Sequence, residues 1–203
     1  GALASGDTVI VNANGTVSVV AGTSVSSNVG TSSQYNSSVS GDNQVAFDSS
    51  ANKFVVAYYD GSNSYHGTAV VGTVSGTNIS FGTPVVFNSS QTDYITISFN
   101  SSVNKMLIAY RDGSTSRAMF LAAINASTSA VTFGTPVAFE SALTQHTSAA
   151  FDSVNNKIVI AYQDGGNGSK GTSVVGTVSG SSISFGSPVI FYNGSMVRTG
   201  CTF

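Results

Sequence analysis

The sequence predicts an all-β chain, a β-propeller-like array of four-stranded antiparallel units of 52 residues preceded by a small N-terminal β-hairpin. Two sequence patterns recur at this step. One is an Asp-Gly pair at Asp60, Asp112 and Asp164, and the other is a Phe-Gly-Thr/Ser-Pro sequence that begins at Phe81, Phe133 and Phe185. A third observation is that no segment shows the 3.6-residue periodicity of an amphipathic helix. A fixed period of this length indicates a repeat architecture.

The first 28 residues lie outside the repeat. Two short β-rich runs, 7–12 and 15–20, flank the pair Asn14-Gly15. Both residues tolerate the positive φ of a type I′ turn, so the pair predicts a tight hairpin. We assign residues 1–28 to an N-terminal β-hairpin or assembly module.

The repeat domain covers residues 29–203. Residues 29–38 match the last strand of a unit, and full units start near 47, 99 and 151. A further unit would start at 203, where the sequence is cut, so we expect the natural polypeptide to continue. A closed propeller needs at least four such units.

Four strands can be identified in each unit. In the third unit they are 148–152, 157–162, 171–178 and 183–191. The second is an almost continuous apolar run, which predicts burial on both faces. Pro188 cannot donate a ladder hydrogen bond, which favours an edge strand or a bulge in the fourth. A β-solenoid and an array of small sandwiches are the alternatives to a propeller.

Composition limits the functional classes. Only 8% of the residues are charged, and the formal net charge is −2 with seven basic residues scattered along the chain. Nucleic-acid binding requires clustered Lys and Arg, so it is disfavoured. No apolar run approaches the roughly 20 residues that cross a bilayer, so we predict no membrane insertion. The single cysteine, Cys201, excludes an internal disulfide.

The residues that recur in every unit suggest structural roles. Asp60 and its equivalents should accept hydrogen bonds from turn N–H groups, with the following glycine at positive φ. A calcium site is the alternative, but each loop offers only one carboxylate. Asp48, Asn100 and Asp152 should cap a second turn in the same way. The recurring tyrosines should pack between units, with a sugar-stacking platform as the alternative; they are Tyr58, Tyr110 and Tyr162.

No catalytic, cofactor or metal site is predicted. The two histidines, His66 and His146, have no carboxylate partner at a suggestive spacing, and Glu140 is the only glutamate in the chain. A pair of glutamates for acid–base work is therefore excluded. We predict that the protein is not an enzyme.

Positions that differ between units are the best candidates for binding. A constant frame that carries variable loops is a common way to build a recognition surface. Polar and aromatic side chains of this kind suit a polar partner such as a host-surface glycan. The candidate ligand-facing residues are Tyr65, His66, Tyr94, Arg117, His146, Asn167 and Lys170.

The repeats resemble structural repeat proteins of marine bacteriophages and other viruses. The resemblance covers residues 29–203 and is specific over the strands, as in 151–165 and 171–191. The middle unit departs from the pattern at 118–125. It implies a non-enzymatic virion-surface protein: a tail fibre, a receptor-binding protein or a capsid decoration. Its implied partners are other virion proteins or copies of itself in a homo-oligomer. The alternative is a secreted or cell-surface lectin-like adhesin, or an extracellular filament subunit.

Overall fold

A computed structural model describes residues 9–19, 30–115, 131–180 and 182–202, together with the main chain of 117–124. These residues fall into two compact parts, an N-terminal part and a repeat domain, divided between Thr31 and Ser32. All of the sheets are antiparallel, as the sequence predicts. No helix in the described residues is long and apolar enough to span a membrane.

The N-terminal part contains a two-stranded hairpin of β1 (Val9–Val11) and β2 (Val17–Val19). Its loop has five residues, because Val11 pairs with Val17. Gly15 has a φ of +78°, but Asn14 does not adopt positive φ. The predicted two-residue type I′ turn is therefore wrong. Instead, Asn14 Oδ1 accepts hydrogen bonds from Thr16 N (3.1 Å) and Thr16 Oγ1 (2.6 Å). Residues 7, 8 and 20 of the predicted strands lie outside the described residues.

The first repeat forms a unit of four strand positions, and the fourth position is divided between β6 and the first half of β7. It consists of β3 (Ser40–Asp48), β4 (Lys53–Asp60), β5 (His66–Ser75), β6 (Asn78–Phe81) and the first half of β7 (Val85–Asn100). The strands pair in the order β3-β4-β5, and both β6 and β7 pair with the outer side of β5. A short 3-10 turn over Gly61–Asn63 joins β4 to β5.

The other two repeats have the same plan. The second consists of the latter half of β7, β8 (Lys105–Asp112), β9 (Arg117–Ile124), β10 (Thr132–Phe133) and β11 (Val137–Glu140). The third consists of β12 (Thr144–Asp152), β13 (Lys157–Asp164), β14 (Lys170–Ser179), β15 (Ser182–Phe185) and β16 (Val189–Ser195), with a 3-10 turn over Gly165–Asn167. Strand β7 is continuous from the first unit into the second.

Two strand predictions need correction. The fourth strand of the third unit is divided into β15 and β16, which both pair with β14, because the segment that contains Pro188 interrupts the ladder. The first strand begins at Thr144 rather than at Ser148, since a bulge lets the pairing continue to Thr144 and Asp164.

The second strand is buried as predicted: Val55, Ala57 and Tyr58 are at most 1% exposed.

Three aromatic rings form the joint between consecutive units. Phe87, on the last strand of the first unit, lies 5.1 Å from Tyr110 and 5.9 Å from Phe133 of the second. Phe139 makes the equivalent contacts at the next joint, with ring centroids 5.4 Å from Tyr162 and 5.6 Å from Phe185. At the preceding joint Tyr35 lies 5.1 Å from Tyr58 and 5.8 Å from Phe81. The recurring tyrosines therefore pack between units, as predicted. Because they are at most 1% exposed, a sugar-stacking role for them is wrong.

The face of the third unit that follows these joints is uncovered. Phe191 is the next member of the series Tyr35, Phe87, Phe139, and it is 55% exposed, whereas Phe87 and Phe139 are 9% and 7% exposed. Val175 is 45% exposed, although its equivalent Val71 in the first unit is only 1% exposed. No unit covers this face within the described part of the chain.

The recurring Asp-Gly pairs are turn elements, but their glycines act differently from the prediction. The glycines Gly61, Gly113 and Gly165 do not have positive φ. Their N–H groups donate to main-chain carbonyls 2.7–2.8 Å away, and a Cβ atom would lie 2.8–2.9 Å from the same oxygens. Glycine is needed at these positions for a close main-chain approach. Positive φ occurs instead at the asparagines of the other turn, Asn52, Asn104 and Asn156.

The aspartates and the asparagine of the turns have their predicted structural roles, with the exception of Asp164, whose side chain accepts no cap hydrogen bond from its turn. Asp60 and Asp112 each accept a hydrogen bond of 3.0 Å from the N–H group two residues later. Asp48, Asn100 and Asp152 accept from the N–H groups two and three residues later, at 2.9–3.3 Å. These contacts occupy the side-chain oxygens locally.

Candidate functional site

Each of the strands β3, β7 and β12 carries a β-bulge near the point where it begins to pair with the second strand of its unit. The register shifts between Gly41 and Gln44, between Asp93 and Thr96, and between Gln145 and Ser148, so two residues oppose one. The first extra residue has a φ of 48° in Asp42, 52° in Tyr94 and 51° in His146. Glycine is usual in such a position. A left-handed conformation costs a residue with a side chain about 1–2 kcal/mol.

These bulge residues are equivalent in the repeat. Asp42, Tyr94 and His146 lie 52 residues apart, and the next position in the series is Arg198. All four line one open concavity of about 390 Å³. The remaining lining residues are Gln44, Ile95, Thr147 and Thr199. The same position in successive repeats thus contributes an acid, two different aromatic rings and a guanidinium group to one place. We call this group of eight residues the bulge cluster.

Hydrogen bonds join the bulges in chain order. The carboxylate Oδ2 of Asp42 accepts from the main-chain N–H of Tyr94 at 2.5 Å. The carbonyl oxygen of Tyr94 accepts from Thr147 Oγ1, and that of His146 accepts from Thr199 Oγ1. Each contact links an atom of one repeat to the matching region of the next. The main chain around the concavity is therefore fixed before any ligand binds.

The ring of Tyr94 is held by three neighbours. Its centroid lies 5.0 Å from that of His146 with an interplanar angle of 66°. The guanidinium carbon of Arg111 lies 4.8 Å from the centroid, a cation–π distance. The hydroxyl oxygen accepts a hydrogen bond of 2.9 Å from Gln145 Nε2. These contacts give the concavity a preorganised aromatic surface.

The cross-strand pair next to each bulge has different residues in different repeats. In the second repeat Arg111 Nη2 lies 2.6 Å from Asp93 Oδ2, and the two side chains are 19% and 21% exposed. In the first repeat the same pair is Tyr59 and Gly41, where a Cβ on the glycine would lie 2.1 Å from the tyrosine hydroxyl oxygen. The first two repeats thus have different residue pairs at this position, a glycine with a tyrosine and an aspartate with an arginine.

The structure brings together two of the seven residues that the sequence proposed, Tyr94 and His146. Four others do not line the concavity: Tyr65, His66, Asn167 and Lys170. They lie in or beside the connections that follow β4 and β13. Arg117 begins β9, and its side chain lies outside the described residues.

Sequence reasoning missed Asp42, Gln44 and Arg198. The 52-residue step from Tyr94 and His146 leads directly to Asp42 and Arg198, so this signal could have found them. Since a bulge leaves no sequence motif of its own, Gln44 carried no signal.

Electrostatic differences separate the third repeat from the other two. Burial alone would raise the pKa of Asp60, but hydrogen bonds from Ser62 and Asn36 outweigh it and hold the pKa below its ordinary value. In the third repeat Gly166 replaces the serine and Glu140 replaces the asparagine. Burial, with the nearby charge of Glu140 as the next cause, raises the pKa of Asp164.

A second concavity, of about 550 Å³, is a weaker candidate. It is lined only by residues of one segment, including Gln34, Tyr35 and Asn36, with no charged side chain among them. For metals, no group of three or more His, Cys, Asp or Glu side chains in the described residues is placed to hold an ion. The bulge cluster is the site that combines charge, aromatic surface and several repeats.

No protein-family model matches the chain, and no curated protein matches it. A solved structure that is similar to it is a triple arginine-to-alanine variant of AofleA from Arthrobotrys oligospora. The two share 12% identity over 79% of this chain, with a TM-score of 0.52. The chain spans 44% of the length of AofleA, so the likeness concerns the fold of part of that protein.

Proposed function

We propose that the chain is a non-enzymatic recognition protein, a propeller-like array that binds its ligand at the bulge cluster. The proposed ring places β3, the second half of β7, and β12 side by side around a central axis. Contacts between the bulges of successive repeats support this arrangement, as Asp42 with Tyr94 and Tyr94 with Thr147 illustrate. The substituted arginines of AofleA are also evenly spaced in its sequence, at a step close to that of this repeat.

The observation that carries the recognition function is the convergence of four equivalent but chemically different residues. The repeats keep their turns and aromatic joints constant, whereas Asp42, Tyr94, His146 and Arg198 differ and share one concavity. Three of the four also have positive φ. Strain of this kind persists where the surrounding structure enforces it, and it is concentrated at functional sites.

Three acidic groups outside the cluster are held in ways that support a binding role rather than a catalytic one. Glu140 Oε1 accepts from the N–H groups of Ser141 and Ala142, at 2.7 and 3.0 Å, and Oε2 accepts from Tyr162 Oη at 3.2 Å. Asp60 and Asp112 are occupied by their turns. A general acid or base must reach the substrate. These carboxylates are held by the frame instead.

The setting we propose is a virion surface, where the chain would attach the particle to a host-cell glycan or assemble with other virion proteins or with copies of itself. The viral resemblance of the repeats supports this setting, and so does the low share of charged residues, 8%. Weak contacts repeated over several copies would add through high effective concentration. A secreted lectin-like adhesin of cellular origin is the second candidate, and one observation favours it: AofleA, which has a similar fold, comes from a fungus.

The test is binding of the chain to a panel of immobilised neutral and acidic glycans. We expect retention on at least one glycan class and a loss of fivefold or more for Tyr94→Ala and Arg198→Ala. Lys105→Gln, which alters a charge at the opposite end of the unit, should bind like the wild type. Folding of each variant is checked by its unfolding midpoint. Binding that all three variants retain would contradict the assignment of the site, and retention on no glycan would contradict the proposed function.

A further inference from the structure

We infer that the bulge cluster binds an acidic saccharide, with its carboxylate or sulfate group held by Arg198 and His146. This inference rests on the proposed function and narrows it to one class of ligand. Two properties of the concavity support it: the order of the charged residues, and the hydrogen-bonding groups that have no partner within the described residues.

Arg198 is the first part of the argument. It is exposed, lines the concavity and has no ion pair or hydrogen bond within the described residues. Arg111, by contrast, is paired with Asp93 at 2.6 Å. An unpaired guanidinium presents a planar set of donors whose geometry matches a carboxylate or sulfate. The cluster therefore offers a ready anion-binding group at one end.

His146 and Tyr94 form the middle of the concavity. The ring of His146 packs against that of Tyr94, with centroids 5.0 Å apart. Within the described residues no hydrogen bond occupies the imidazole nitrogens of His146. A ring nitrogen can therefore donate to the same anion that Arg198 holds. The aromatic surface of Tyr94 beside it suits the apolar C–H face of a sugar.

The opposite end of the concavity has the complementary chemistry. Asp42 uses Oδ2 to accept from Tyr94 N, and its other oxygen makes no hydrogen bond within the described residues. Gln44 is exposed beside it. A carboxylate and an amide recognise hydroxyl groups, whereas a second anionic group would be repelled here. The bulge cluster thus fits a ligand with one anionic end and one hydroxyl-rich end.

This order of groups disfavours a polyanion such as a nucleic acid. A phosphate backbone needs several cations along one surface. Arg198 is the only Lys or Arg that lines the concavity in the described part of the chain. The contacts that link successive bulges run from Asp42 through Tyr94 and His146 to Thr199, so Asp42 and Arg198 belong to the first and the last bulge of this series. A single acidic sugar unit satisfies both ends without an unpaired charge.

The experiment is isothermal titration at low ionic strength with 3′-sialyllactose, 3′-sulfated lactose and neutral lactose as probes. The expected result is at least tenfold tighter binding of one or both acidic probes than of lactose. Arg198→Gln should lower the affinity for the acidic probe tenfold or more, Arg198→Lys should restore part of it, and His146→Ala should lower it by a smaller factor. Lys105→Gln is the control that removes one positive charge away from the cluster.

Each outcome decides between the claims. Preference for only the sialylated or only the sulfated probe, with loss in Arg198→Gln, supports the inference and identifies the anion. Equal binding of lactose that still depends on Tyr94 overturns the acidic ligand but leaves the proposed function intact. An equal loss in Lys105→Gln overturns the inference, because it would assign the effect to net charge. Binding of none of the probes also overturns it, and the wider glycan panel then tests the proposed function separately.

Discussion

The ring of Phe139 lies 5.4 Å from that of Tyr162, although the two residues belong to consecutive repeats. Phe139 is 7% exposed, whereas its equivalent Phe191 is 55% exposed. We expect Phe139→Ala to lower the free energy of unfolding by about 3–5 kcal/mol, the usual cost of removing a buried phenylalanine. Phe191→Ala should cost less than about 1 kcal/mol.

Urea unfolding of the two variants beside the wild type measures this difference. The two substitutions are the same chemical change at the same repeat position, so they differ only in what covers the ring. Similar losses for both variants would show that Phe191 is buried in solution by something that the described residues do not supply.

The strain at the bulges can be measured through His146. Replacement by glycine removes a left-handed penalty of about 1–2 kcal/mol but adds flexibility to the unfolded chain that offsets part of it. His146→Ala keeps the penalty, and both variants lose the ring contact with Tyr94. We therefore expect the glycine variant to be more stable than the alanine variant by about 1 kcal/mol in urea unfolding. Equal stability of the two would contradict the strained conformation.

A close main-chain approach, and not positive φ, explains the glycine of the recurring Asp-Gly pair. A Cβ on Gly113 would lie 2.8 Å from the carbonyl oxygen of Gln91, whereas one on Gly186 would meet no atom nearer than 3.8 Å. Gly113→Ala should therefore lower the free energy of unfolding by about 1–3 kcal/mol, as overpacking does. Gly186→Ala should be close to neutral, and thermal unfolding can compare the two. A neutral Gly113→Ala would remove this explanation.

The raised pKa of Asp164 predicts an unusual pH dependence in the third repeat. Burial and the charge of Glu140 favour the protonated form in the folded state, so the contribution of Asp164 to stability is present at low pH and is lost as pH rises through its raised pKa. Glu140→Asn removes this charge and restores the residue of the first repeat, where Asn36 Nδ2 donates to Asp60 Oδ1 at 3.3 Å. The variant should therefore gain stability relative to the wild type near pH 7, and the gain should shrink below the ordinary pKa of a carboxyl group.

Urea unfolding of wild type and Glu140→Asn at several pH values between 3 and 7 checks this expectation. Asp112→Asn serves as the opposite case. Burial alone would raise the pKa of Asp112, but the hydrogen bonds from Ser114 outweigh it and lower the pKa. Its stabilising effect is therefore present at neutral pH and is lost as pH falls through the lowered pKa. The same pH trend in both variants would contradict the assignment.

The sequence was a good guide wherever one residue type repeats with the period. The recurrence of Tyr58, Tyr110 and Tyr162 predicted the packing between units, and the continuous apolar runs predicted the buried second strands. Local chemistry was a poorer guide where two strands must meet. The close approach of Gly113 to Gln91 depends on a residue 22 positions earlier, and no local pattern records it.

The candidate site was only half predictable for a related reason. Tyr94 and His146 were predicted as candidate binding residues because aromatic and polar side chains occupy positions that differ between repeats. Asp42 and Arg198 are ordinary surface residues until the bulge brings their equivalents into one concavity. A bulge is an offset of pairing between strands, and residue types alone do not specify it.

The aromatic joint has a consequence for how the gene of this protein changes. Each joint takes one ring from a repeat and two from the next, always at the same repeat positions. Deleting or duplicating one 52-residue repeat by unequal crossing-over would therefore leave every remaining joint complete. It would also shift which side chains meet in the bulge cluster, so a single recombination could change specificity without weakening the scaffold.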